Sequence, residues 1–132
     1  MDLHQVYPPL ASLMERVERA LRRAWEGEPE FLAQAAREAL SGPGKRLRPI
    51  LLLLSAECAG GASETSIGLA AIAEMVHAAS LVHDDVIDDA AARRGRASAK
   101  AAWGNKISVL LGDYLISRAF VLAPEEGQQE TL

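Results

Sequence analysis

Cysteine is almost missing from this sequence, with Cys58 the only one in 132 residues. That excludes a disulfide framework and predicts a reduced, intracellular setting. Cys58 lies in an apolar run and reads as a small core residue. Positive charge is not in excess: the formal net charge is −4, and no face reads as a long basic stripe, which argues against a nucleic-acid partner. Long hydrophobic runs are absent too. The densest, Pro49 to Ala56, falls far short of the ~20 residues that a membrane span needs. The first residues show no basic-then-apolar leader, so a cytoplasmic location is expected. Aromatics make up only 5% of the chain.

What remains is rich in Ala, Leu, Glu and Arg, a composition that favours helix. With 49% apolar and 24% charged residues, the chain has the make-up of one ordinary soluble domain over 1–132, long enough to bury a core. From Tyr7 to Trp25, Leu10, Leu13, Val17, Leu21 and Trp25 recur at helical steps with arginines mostly opposite. Gly27 and Pro29 end that helix, and a second is predicted from Pro29 to Leu40, closed by Ser41-Gly42-Pro43-Gly44. A third, Ile50 to Ala59 with Pro49 in its first turn, is apolar almost all round and should be central. Gly60-Gly61 breaks the chain, and Ser63 or Thr65 caps a fourth helix of about 25 residues. Trp103-Gly104 marks a bend, Ile107 to Leu122 forms the last helix, and Pro124 stops it. No internal repeat, low-complexity segment or domain linker is visible.

The fourth helix ends in acid: four of the six aspartates are Asp84, Asp85, Asp88 and Asp89. On a helical wheel with His77 at zero, Asp84 falls near about −20°, Asp88 near +20°, Leu81 near +40°, Glu74 near +60° and Asp85 near +80°. One face thus carries His77, Asp84, Asp85 and Asp88. Left bare, it is costly, because like charges at i,i+4 repel and acids at a helix carboxyl end oppose the macrodipole. A multivalent cation removes these penalties. Carboxylate oxygens favour a hard ion, and Mg²⁺ usually takes one or two carboxylates with waters and phosphates. Basic groups stand on either side. Lys45, Arg46 and Arg48 sit at the amino end of the third helix, which already attracts anions, and Arg93, Arg94 and Arg96 follow the acids in an expected loop. A Mg²⁺-phosphate site is one reading; a solvated acidic helix end with arginines neutralising aspartates is the other.

Gly44-Lys45-Arg46-Leu47-Arg48-Pro49, then Glu74-x-x-His77, His83-Asp84-Asp85-x-x-Asp88, Arg93-Arg94-Gly95 and Gly112-Asp113 together resemble, in order and spacing, the trans-isoprenyl diphosphate synthases, or polyprenyl synthetases. The resemblance runs from about residue 40 to 122. It implies an all-α isoprenoid-synthase-type bundle, here its amino-terminal half with about five helices. The implied reaction is condensation: an allylic diphosphate ionises, the double bond of isopentenyl diphosphate attacks the cation, and a proton is lost. By the same resemblance Asp84, Asp85 and Asp88 are the first aspartate-rich motif, catalytic and holding Mg²⁺. Arg93 contacts the allylic diphosphate, and Lys45, Arg48, His77 and Arg94 bind isopentenyl diphosphate. Ala79 and Ser80, just ahead of the acids, correspond to the floor of the product tunnel, and their small size implies a product longer than farnesyl.

The chain departs from the pattern in two ways. Ala97, Ser98 and Lys100 replace a usual Pro-Thr and His, and no aspartate follows Asp113, so the second aspartate-rich motif is absent. A homo- or hetero-oligomer in which another chain supplies that motif is therefore expected. Two alternatives stand beside this: a non-catalytic regulatory subunit of a prenyl synthase, and an HD-type metal phosphohydrolase built on His77, His83-Asp84 and Asp88. His83 falls off the acidic face and is expected to pack rather than ligate, and Asp113 to make a structural hydrogen bond.

Overall fold

The computed structural model describes residues 7–41, 44–89, 92–93 and 95–126. Among them are five helices and one short hairpin: α1 (Pro9–Arg23), α2 (Glu30–Leu40), α3 (Leu47–Cys58), α4 (Glu64–Ile87), β1 (Ala92–Arg93), β2 (Arg96–Ala97) and α5 (Ala99–Glu126). The all-α expectation holds.

Helix α1 buries Leu10, Leu13, Met14, Val17 and Leu21, the stripe its periodicity announces, and ends with Arg22 and Arg23 where cations complement the dipole. In α4 the start is fixed by a capping box. Ser63 accepts a hydrogen bond from the Ser66 N–H while the Ser66 hydroxyl accepts from the Ser63 N–H.

The central helix is α4, not α3. It packs against all four other helices and buries Ile67, Ala71, Met75, Ala78 and Val82 on several sides. Helix α3 buries only Pro49, Ile50 and Leu53, leaving Leu47 and Leu51 exposed. Its all-round apolar pattern belongs to one face against α1 and α4 and another left exposed among the described residues. Cys58 likewise is exposed rather than in the core, at the last turn of α3.

The long apolar α4 also qualifies a second expectation. By length and composition alone it is apolar enough to cross a membrane, with a mean hydropathy of 1.5 over its best stretch. The residues that raise that figure are mostly committed to the bundle core, and the helix carries Glu74, His77, Asp84 and Asp85. A count of uninterrupted apolar residues misses this, because single polar residues break the run without lowering the average much.

Helix α5 begins earlier and runs later than predicted, from Ala99 to Glu126 and so past Pro124, yet Gly104 interrupts it with φ 79° and ψ 166°. That left-handed backbone suits glycine, and it produces the bend expected at Trp103-Gly104. The short stretch before it lays Trp103 edge-on against Phe31 of α2, with ring centroids 5.3 Å apart. The expected arginine loop is a hairpin, with Ala92 opposite Ala97 and Arg93 opposite Arg96.

Candidate diphosphate and metal site

The site is built on one side of α4. The chain enters α3 through Arg46, whose φ of 48° lies in the left-handed region that a non-glycine residue occupies at a cost of about 1–2 kcal/mol. Three hydrogen bonds hold it there. Its Nε donates to Glu18 Oε1 at 2.9 Å, Nη1 to Glu74 Oε1 at 2.8 Å and Nη2 to the Leu40 carbonyl at 2.8 Å. Arg46 therefore differs from its neighbours: it is engaged by the protein itself, whereas Lys45 and Arg48 are exposed.

Lys45 and Arg48 line a cavity of about 360 Å³ together with His77, Ala78 and Leu81 of α4 and the buried Glu74. Three of the residues expected at a phosphate site, His77 lying 29 residues beyond Arg48, are thus brought to one pocket. Helix α4 makes this possible, because His77 and Leu81 are one turn apart on the same face.

Farther along that face come the acids. Asp84 and Asp88 are exposed, while Asp85 is buried with 4% of its surface accessible. The helical wheel accounts for the split. Glu74 and Asp85, near about +60° and +80°, share the edge that turns into the bundle, whereas His77, Asp84 and Asp88 lie within about 20° of the open centre. Among the described residues, no group of three His, Cys, Asp or Glu side chains is arranged to hold a metal. The expected triad of Asp84, Asp85 and Asp88 is therefore not a ready-made cage in this structure. Asp84 and Asp88, one turn apart, do fit an ion that uses one or two carboxylates and completes its shell with water and phosphate oxygens.

The other expected residues are distributed as follows. Ala79 is fully buried, on the side of α4 away from the acids, and Ser80 is exposed, its hydroxyl donating to the His77 carbonyl at 2.8 Å. Arg93 contributes its backbone to β1, and Arg94 lies outside the described residues. Asp89 forms an ion pair with Lys100, joining the end of α4 to the start of α5.

His83 points away from the acids, as expected. Its Nε2 lies 3.1 Å from the Val109 carbonyl and 3.4 Å from Asp113 Oδ1, both on α5. Gly112 makes room for it: a Cβ at that position would stand 2.1 Å from the same nitrogen. The Gly112-Asp113 pair is thus a seat for His83, a role that needs the α4–α5 packing to be seen. Glu18 is the other residue that sequence reasoning missed, since nothing local to α1 signals a partner 28 residues away.

The model of the polyprenyl synthetase family matches residues 29–131. Among curated relatives, octaprenyl diphosphate synthase of Escherichia coli is 36% identical over all 132 residues, which span 41% of that protein. Heptaprenyl diphosphate synthase component 2 of Geobacillus stearothermophilus is 42% identical, covering 96% of this chain and 40% of its own length. Solved structures agree. A decaprenyl diphosphate synthase from Rhodobacter capsulatus superposes with a TM-score of 0.84 at 39% identity, over 93% of this chain and 37% of that one. A polyprenyl synthase from Caulobacter crescentus, complexed with calcium and isoprenyl diphosphate, gives 0.87 at 32% identity, over 98% and 39%. The 132 residues thus span about two fifths of the relatives' length, in keeping with an amino-terminal half. With the family's model matched from the second helix to the end of the last one, this chain belongs to the polyprenyl synthetases.

Proposed function

We propose that the chain is part of a Mg²⁺-dependent polyprenyl diphosphate synthase that condenses isopentenyl diphosphate with an allylic diphosphate. The observation that carries this is the shared face of α4. Lys45, Arg48 and His77 meet in one pocket, and Asp84 and Asp88 follow on the same face about 10–17 Å farther along the helix. Two sites in sequence along one face suit a reaction that joins two diphosphate esters.

Lys45 and Arg48 neutralise the diphosphate of isopentenyl diphosphate, and His77 donates to it. Asp84 and Asp88, with Asp85 behind them, hold the cation. A Mg²⁺ held by these carboxylates would offset the negative charge that builds on the leaving diphosphate. By the family resemblance, Arg93 is assigned to the same leaving group and Arg94 to isopentenyl diphosphate. The chain supplies no nucleophile, because the attacking electrons are those of the substrate double bond. The calcium and isoprenyl diphosphate in the Caulobacter crescentus structure support this pairing of a divalent cation with such a ligand.

A second aspartate-rich motif comes from outside these residues, and the enzyme works as a homo- or hetero-oligomer. The relative called component 2 supports a partnered arrangement. The product is longer than farnesyl, as the small, exposed Ser80 and the octaprenyl and heptaprenyl relatives support, and the enzyme works in the cytoplasm.

Prenyl transfer tests the proposal, with Mg²⁺, isopentenyl diphosphate and farnesyl diphosphate given to the purified chain, alone and with companions from its own host. Product is expected in at least one arm, with a chain longer than farnesyl. Absence of product from both arms would favour the regulatory-subunit reading. Zinc or manganese retained on purification, with hydrolysis of phosphate esters, would favour the phosphohydrolase.

A further inference from the structure

We propose that Arg46 is a positioning residue for the diphosphate pocket: anchored by Glu18, Glu74 and Leu40, it sets where Lys45 and Arg48 stand. The inference rests on reading that pocket as the isopentenyl diphosphate site.

Arg46 stands between the two pocket cations in sequence yet does a different job. All three of its bonds go to other segments, Glu18 of α1, Leu40 at the end of α2 and Glu74 of α4. One guanidinium faces two carboxylates, so it brings no spare positive charge to an anion. What it brings is geometry. A left-handed residue at the cap of α3 turns the chain sharply, and such a conformation persists only where the surroundings hold it. Here the fork of a guanidinium is the holder, which a single ammonium cannot imitate. Without the anchors the 45–48 backbone is free to relax to a common conformation, and Lys45 and Arg48 leave the pocket wall. Arg46 has a second effect through Glu74. That carboxylate is buried and lines the same cavity, so its pairing with Arg46 keeps a negative charge from repelling the diphosphate.

Glu18 separates positioning from electrostatics. It is not among the residues lining the cavity that Lys45, Arg48 and His77 share, although it borders a neighbouring one with Lys45. Its removal deletes a negative charge, which by Coulomb's law alone strengthens anion binding. Positioning predicts the reverse sign.

The test is calorimetric titration of the full chain with inorganic diphosphate and, separately, isopentenyl diphosphate, for the wild type, Lys45→Ala, Glu18→Ala and Arg46→Lys. Lys45→Ala is expected to weaken both ligands about tenfold through loss of a charge-assisted contact. Glu18→Ala should weaken both several-fold, with Arg46→Lys at least as weak although the charge is kept. Hydrogen exchange at the amides of residues 44–50 should quicken in both anchor variants while α4 stays protected, which shows that the fold is intact. If Lys45→Ala weakens binding but Glu18→Ala leaves it unchanged or tighter, the positioning role is overturned and the pocket stands. If the wild type binds neither ligand, or Lys45→Ala changes nothing, the reading of the pocket falls and takes the inference with it.

Discussion

Gly112 and His83 form a pair in which the smaller residue is chosen by the larger. Because a Cβ at 112 would meet the imidazole at 2.1 Å, Gly112→Ala is expected to push His83 off the Val109 carbonyl and Asp113. The change should cost stability by about 1–3 kcal/mol, the range for overpacking. His83→Ala alone should cost less, and the double variant should be more stable than Gly112→Ala alone, since the clash is gone. Urea unfolding of the four proteins checks this; additive costs would show that the ring and the glycine are independent.

Tyr114 offers a pH prediction at the same scale. Burial, then the Glu28 carboxylate beside it, push its phenol up to about 12 from an ordinary 10.0. The Tyr114 hydroxyl is buried beside that carboxylate. A folded state that holds its proton more tightly than the unfolded chain keeps that contribution below pH 10 and loses it as pH rises toward 12. The melting temperature of the wild type should therefore fall more steeply over that interval than that of Tyr114→Phe, which has no proton to lose.

Among the elements, α4 carries the argument. Its acidic end is held against two penalties, repulsion between Asp84 and Asp88 at i,i+4 and an unfavourable dipole. Asp84→Ala should leave helicity intact and raise stability by about 0.2–0.5 kcal/mol, while prenyl transfer by any competent assembly is lost. Circular dichroism and the transfer assay read the two effects separately; a marked loss of helicity would count against a metal-binding face.

The helices were legible in the sequence wherever a 3.6-residue rhythm had a single core to point to, as in α1, and the start of α4 was narrowed to Ser63 or Thr65, of which Ser63 is the cap. The rank of α3 was not legible, because an all-round apolar pattern looks the same whether its second face is buried in this chain or left uncovered. The hairpin was invisible for another reason: strands of two residues carry no periodicity. Of the site, the types and spacing of the acids and of Lys45, Arg48 and His77 were readable. The inward turn of Asp85 and the engagement of Arg46 were not, since both depend on which side of α4 the rest of the bundle occupies.

For the whole molecule the exposed side of α5 matters most. Val109, Leu110, Phe120 and Val121 are all exposed and fall within about 120° of one another around the helix. A face of this kind on a soluble protein normally meets another protein surface. Leu110→Glu with Phe120→Glu should shift sedimentation toward the monomer and leave circular dichroism unchanged. An unaltered sedimentation profile would mean that this face is not an interface between chains.

Cys58 was placed by sequence in the core, and the structure puts it in the open at the last turn of α3. As the only thiol in the chain, it accepts one fluorophore at one address. It lies on the same rigid helix as Arg48, about 15 Å away along the axis, so a dye there reports on the Lys45 and Arg48 end without touching it.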